Sequence, residues 1–222
     1  MIADVIASIR QQLPEGVQLV AVSKFHPAEA IREAYEAGQR IFGESHVQEV
    51  MAKVDVLPQD IEWHFIGHLQ TNKVKYLAPY VSLIHAVDSM KLLREINKQA
   101  EKAGRTIRCL LELHVAQEES KYGFTPDELL ALLNEGEWRQ LTHVQICGLM
   151  TMATFTDDET QIRREFQLAK QTFDRAKAEY FHDEPSFCEL SMGMSHDYPI
   201  AIEEGATLVR IGTMIFGERN YN

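Results

Sequence analysis

The feature that most constrains this chain is a rhythm. Short apolar runs ending in polar or glycine-rich turns alternate with longer stretches of helical period, eight times over. Runs such as Leu19-Val20-Ala21-Val22 and Cys109-Leu110-Leu111 carry no polar residues, as strands covered on both faces do. Strands are expected over 17–23, 40–43, 62–67, 81–87, 106–115, 144–152, 187–192 and 207–212. The apolar spacing predicts helices over 2–13, 27–37, 45–54, 72–77, 158–180 and 198–204. Two more carry cap signals: one capped by Asp88 or Ser89 and ended by Gly104, and one capped by Thr125 with Pro126 behind it. Strict strand–helix alternation implies a parallel sheet with right-handed crossovers. Eight such units in 222 residues suit a single closed (β/α)8 TIM barrel, in which no edge strand remains. The competing architecture, a doubly wound open sheet, finds no GxGxxG after the first strand. No linker or low-complexity stretch interrupts the pattern, so residues 1–222 read as one domain.

Charge and cysteine usage narrow the function. A formal net charge of -11 argues against nucleic acid and anionic membranes as partners, because their phosphates would repel the chain. A small anionic ligand stays open, since local donors in a cleft can outweigh the global charge. Cys109, Cys147 and Cys188 lie far apart in apolar runs, where each is expected to behave as a small buried hydrophobe. They form no CxxC or Cys/His cluster, so no metal site is expected. The first residues lack a basic region followed by an apolar stretch, and no run approaches transmembrane length. A cytoplasmic protein, monomeric, is the expectation.

Barrel chemistry belongs at the carboxyl ends of the strands. The first strand runs straight into Lys24, followed by Phe25, His26 and Pro27. A lysine held among apolar neighbours can lose its proton and attack a carbonyl; a solvated loop lysine is the bland alternative. The eighth strand carries Arg210 between Val209 and Ile211, so its guanidinium must be buried and needs acceptors. Those acceptors would be a barrel carboxylate or a ligand heteroatom. Ser191 and Ser195 after the seventh strand, with Gly212-Thr213 after the eighth, place hydroxyls and bare backbone at the usual phosphate site of a barrel. A strand-one lysine, a strand-eight arginine and a phosphate cup together describe a site for pyridoxal 5'-phosphate (PLP).

These stretches resemble the pyridoxal phosphate homeostasis protein family, related in fold to the amino-terminal barrel of alanine racemase. The resemblance rests on Ala21-Val22-Ser23-Lys24, Phe42-Gly43-Glu44, Trp63-His64-Phe65-Ile66-Gly67, Leu69-Gln70, Asn72-Lys73, Gly148-Leu149-Met150, Leu190 through Ser195, Val209 through Thr213, and Ile215-Phe216-Gly217. It implies that Lys24 carries PLP as a Schiff base and that Arg210 faces the pyridine nitrogen. It assigns the phosphate to Ser191, Ser195, Gly212 and Thr213, with Ser191 and Ser195 as competing claims on one role. Ser45-His46 stand where the family has an Asn-Tyr pair, and His196 replaces a small or acidic residue. Both departures are expected at the mouth of the site.

Other signals read as structural. His64 and His68 fall on a strand and its loop and share no helical face; His85 reads as a hydrogen-bonded barrel histidine. Lys121 reads as a loop lysine and Asp157-Asp158-Glu159 as a helix start. The resemblance implies a role in vitamin B6 homeostasis, holding or delivering PLP, with apo PLP-dependent enzymes as candidate partners and with an influence on amino-acid and keto-acid balance. No catalytic residue is assigned. In alanine racemases a carboxyl-terminal domain supplies a tyrosine to the second face of the substrate, and this sequence ends at Asn222, soon after its eighth strand. The rivals are an amino-acid racemase and a PLP-responsive regulator acting on a protein partner.

Overall fold

All eight expected strands form, and they close on one another. The computed structural model describes residues 1–116 and 122–218. The strands are β1 (Gln18–Val22), β2 (Ile41–Glu44), β3 (Glu62–Phe65), β4 (Val81–Val87), β5 (Ile107–Leu113), β6 (Val144–Thr151), β7 (Glu189–Ser191) and β8 (Leu208–Ile211). Each pairs in parallel with its sequence neighbours, and β8 returns to β1 with Arg210 opposite Val20. Helices α1 (Ile2–Gln12), α2 (Ala28–Glu36), α3 (Val47–Val54), α4 (Val74–Leu77), α5 (Met90–Lys102), α6 (Pro126–Glu135), α7 (Glu159–Tyr180), α8 (Tyr198–Glu203) and α9 (Thr213–Phe216) complete the fold. This is the (β/α)8 barrel that the alternation implies.

Period-two alternation sorts the strand residues into two layers. Leu19, Ala21, Cys109, Leu111, Val209 and Ile211 join the large apolar layer that the helices cover. Val20, Leu110, Cys147, Met150 and Leu208 form a smaller cluster inside the barrel. The interior also holds His64, His85, Ser191 and Arg210, each buried. A barrel core this polar must satisfy its donors and acceptors internally.

The caps follow the sequence. Ser89, rather than Asp88, accepts from Leu92 N–H, and Thr125 and Glu128 form a reciprocal capping box. Three readings change. Strand β7 is only three residues long, because Phe187 is apolar for a different reason: its ring stacks on Phe181, 4.1 Å between centroids. Cys188 is exposed rather than buried, one position before that strand. The four-residue helix α9 and a 3-10 turn at Glu137–Gln140 were too short to leave a periodic signal. Among the described residues, no helix is long and apolar enough to cross a membrane.

Candidate functional site

At the carboxyl end of the barrel, a cavity of about 110 Å³ brings together Lys24, Ser195, Arg210, Gly212 and Thr213. Val22, Ile66, Met152 and Met194 supply its apolar wall. A larger cavity of about 390 Å³ lies at the opposite end, beside Gln18, Leu19, Arg40 and Ile41. Size does not decide between them. Barrel strands deliver chemistry at their carboxyl ends, and the smaller cavity alone holds a lysine and a buried arginine together.

Lys24 sits in a tight turn that closes with His26 N–H donating to Ser23 C=O at 3.1 Å. The next residue, Phe25, adopts φ 65°, the only non-glycine residue at positive φ among those described. Such a conformation costs on the order of 1–3 kcal/mol and persists where its surroundings enforce it. Here they do. Phe25 N–H donates to Glu49 at 2.7 Å, and the Ser23 hydroxyl donates to Glu44 at 2.6 Å. Lys53 ties these together, donating to Ser23 C=O at 3.1 Å, Glu44 at 2.7 Å and Glu49 at 2.9 Å. Burial pushes the Glu44 carboxyl up to about 7, although Lys53 and Ser23 pull the other way. Burial would raise Glu49 too, but its bonds from Lys53 and Phe25 N–H outweigh that and lower it. The lysine is thus presented by a turn clamped from beneath through α3.

Arg210 is 4 % exposed. Its acceptors are the Ser191 hydroxyl at 2.5 Å and Thr151 C=O at 2.9 Å, and no carboxylate pairs with it within salt-bridge distance among the described residues. Burial lowers its pKa to about 10, opposed by the fields of Asp197 and Glu112. The guanidinium thus stands at the cavity wall without a carboxylate in direct contact, balanced in part by those two fields.

The remaining wall is mostly backbone. Gly193 has φ 91°, and a Cβ there would stand 2.6 Å from Ala201 Cβ. A Cβ on Gly212 would meet Val22 C=O at 3.0 Å. Gly193 thus needs its bare backbone for close packing against α8, while Gly212, which lines the cavity, has only tight room for a Cβ against Val22. Asp197, 1 % exposed, accepts from Met194 N–H at 2.6 Å and braces this loop. Its second oxygen lacks a hydrogen-bond partner; His196 Nε2 stands 3.3 Å away without hydrogen-bond geometry.

Of the residues expected at the site, Lys24, Ser195, Arg210, Gly212 and Thr213 line one cavity. Ser191 does not line it: the hydroxyl is fully buried behind Arg210. Ser45 contributes to the rim, while His46 packs against Phe25 and His196 against Phe155, with ring centroids 5.1 and 5.0 Å apart. His68 pairs with Asp88 at 3.3 Å and stacks on Tyr122. Lys121 lies outside the described residues. Sequence reasoning gave no role to Lys53, Glu112 or Asp197. Lys53 and Asp197 lie in stretches where no apolar run marks a buried charge, whereas Glu44 at the tip of one apolar strand and Glu112 within another were signals the chain did offer.

The family model described as "Alanine racemase, N-terminal domain" matches residues 2–220. The pyridoxal phosphate homeostasis protein of Aquifex aeolicus is 44% identical over 205 residues, 92% of this chain and 88% of the relative. The structure of PipY from Synechococcus elongatus, with PLP bound, superposes with a TM-score of 0.88 at 41% identity. That alignment covers 98% of this chain and 100% of PipY. Alanine racemase from Streptomyces lavendulae shares the fold, with a TM-score of 0.75 at 19% identity, over 97% of this chain and 56% of the racemase.

Proposed function

From a chain that belongs to the alanine racemase N-terminal domain family, and within it to the pyridoxal phosphate homeostasis proteins, we propose a PLP-binding protein of vitamin B6 homeostasis. The observation that carries this reading is the shared cavity of Lys24 and Arg210, with Ser195, Gly212 and Thr213 on its wall. When bound, the cofactor supplies an aldehyde that condenses reversibly with an amine. Lys24 is that amine, presented by the strained turn at Phe25. Arg210 faces the pyridine nitrogen, and its fixed charge disfavours a proton there. Ser195, Gly212 and Thr213 hold the phosphate through hydroxyls and backbone N–H groups, while Ser191 acts on the arginine. The apolar wall of Val22, Ile66, Met152 and Met194 packs against the ring.

The protein holds or delivers PLP in the cytoplasm rather than transforming a substrate, as a monomer whose partners are apo PLP-dependent enzymes. Exchange of an α-proton on both faces needs an acid–base group on each side, and Lys24 serves one. Among the described tyrosines, Tyr122 near the mouth is 56% exposed and stacked on His68. The test is the visible spectrum of PLP-loaded protein before and after borohydride, with peptide mapping of the adduct, then transfer of the cofactor to an apo-enzyme. An adduct on Lys73 or Lys121 alone would overturn the assignment.

A further inference from the structure

Beneath Arg210 and Ser191 the barrel interior continues as a row of polar contacts, in which His85 and His64 have so far had no role. Arg210 Nη1 lies 2.5 Å from Ser191 Oγ, which lies 2.9 Å from His85 Nδ1. His85 Nε2 in turn lies 3.0 Å from His64 Nδ1. All four residues are at most 4 % exposed. Four side chains from β8, β7, β4 and β3 are therefore joined across the inside of the barrel.

The row has a direction. A guanidinium only donates, so Ser191 Oγ accepts from Arg210. The single proton of Ser191 then has one acceptor within reach, His85 Nδ1. That nitrogen is bare, so the other nitrogen of His85 carries the proton and donates to a bare His64 Nδ1. The opposite polarity would make Ser191 accept twice and leave its own proton buried without an acceptor, which interiors avoid. A cationic histidine is equally unfavourable. Burial holds His64 at about 3, with Arg108 adding to it, and holds His85 well below its ordinary value, with His64, Arg210 and Arg108 adding to it.

We infer that Ser191, His85 and His64 form a neutral, one-way hydrogen-bond relay that orients Arg210 toward the cofactor, making His85 and His64 positioning residues for the electronic state of the bound ring. The inference rests on the assignment of PLP to this cavity. Asp197 and Glu112 act on Arg210 only through their fields, without an ion-pair contact, and the relay supplies its direct acceptor without adding a negative charge. Thr151 C=O at 2.9 Å fixes the second guanidinium nitrogen and so defines the plane.

Two measurements test it. Side-chain nitrogen NMR of the wild-type protein, free of PLP, should show bare Nδ1 and protonated Nε2 on both His64 and His85, unchanged from pH 5.5 to 8. A protonated Nδ1 on His85, or a cationic form of either ring in that range, overturns the relay whatever the cavity binds. Ser191→Ala and His85→Phe, loaded with nitrogen-labelled PLP, should shift the pyridine nitrogen signal toward its protonated position. The borohydride adduct should remain on Lys24 in both. His85→Gln, which keeps an acceptor and a donor, should restore the wild-type signal at least in part. An unchanged signal in Ser191→Ala and His85→Phe overturns the positioning role. Absence of the Lys24 adduct in wild-type protein sinks the PLP assignment instead, and the ligand-free tautomers still judge the relay. If the variants do not fold, those wild-type tautomers decide.

Discussion

Replacing Glu112 by glutamine should stabilise this protein at pH 8 and leave it unchanged at pH 4. Glu112 is 4 % exposed on β5, and one of its carboxyl oxygens has no hydrogen-bond partner. Burial raises its pKa from 4.5 to about 7; Asp88 adds to that, and Arg210 opposes it. Below about 4.5 the folded and unfolded chains both hold the proton, and the group contributes no pH dependence. Between 4.5 and about 7 the folded chain holds a proton that the unfolded chain has released, so stability falls as pH rises. Above about 7 the loss is complete. Each pH unit is worth ~1.4 kcal/mol, so a rise of about 2.5 units amounts to ~3 kcal/mol. For a domain of this size that corresponds to a melting temperature higher by roughly 6–12 °C in Glu112→Gln at pH 8. Glu44, also raised from 4.5 to about 7, loses stability in the same window and is untouched by the substitution. His64 and His85, held below their ordinary value, gain stability as pH rises through the lower part of this window, so the quantity to read is the difference between variant and wild type. Urea titrations at half-unit intervals from pH 4 to 8.5 should show it growing from nothing near pH 4.5 to ~3 kcal/mol above about 7. If Glu112→Gln is no more stable at pH 8 and its pH profile runs parallel to that of the wild type, the ionised carboxyl has a stabilising partner and the reasoning fails.

Three further outcomes follow from named contacts. Lys24→Ala should abolish the visible absorption of PLP-loaded protein and the borohydride adduct, while far-ultraviolet circular dichroism stays that of the wild type. Gly148→Ala should destabilise by about 4 kcal/mol or more, measured as a lowered urea midpoint, because Gly148 has φ 150° and a Cβ would overlap the Glu189 carbonyl across the β6–β7 pair. Deuterium wash-in at Cα of L- and D-alanine, followed by chiral analysis, should show exchange slower than in a two-base racemase by ~10²–10⁴-fold, the worth of one positioned acid–base group. Rapid interconversion that depends on Lys24 would instead establish a racemase.

The barrel was legible because parallel strands covered on both faces leave nearly unbroken apolar runs. The same rule misled at Phe187 and Cys188, where the run continued for the sake of an aromatic stack and a sheet rim. Lys24 and Arg210 were legible because a charge inside an apolar run has few structural excuses. Ser191 and Ser195 could not be separated by composition: both are serines near one strand end, and only the third dimension puts Ser191 behind the arginine and Ser195 in front. Likewise, Lys53 reads as an ordinary helical lysine until α3 docks it under Ser23, Glu44 and Glu49.

The turn at Phe25 has a consequence for how a carrier could report its load. The clamp through Lys53 and Glu49 sets the backbone on either side of Lys24, so the turn from which the side chain projects is formed without any aldehyde. In the carrier role proposed above, a backbone prepared in this way leaves less to rearrange on loading. The rim is built differently, from side chains: His46 meets Phe25 there and Phe155 meets His196. Ser45 lines the cavity at that rim and His46 and His196 stand beside it, so under the proposed carrier role the doorway, more than the room behind it, is where a recipient would be met.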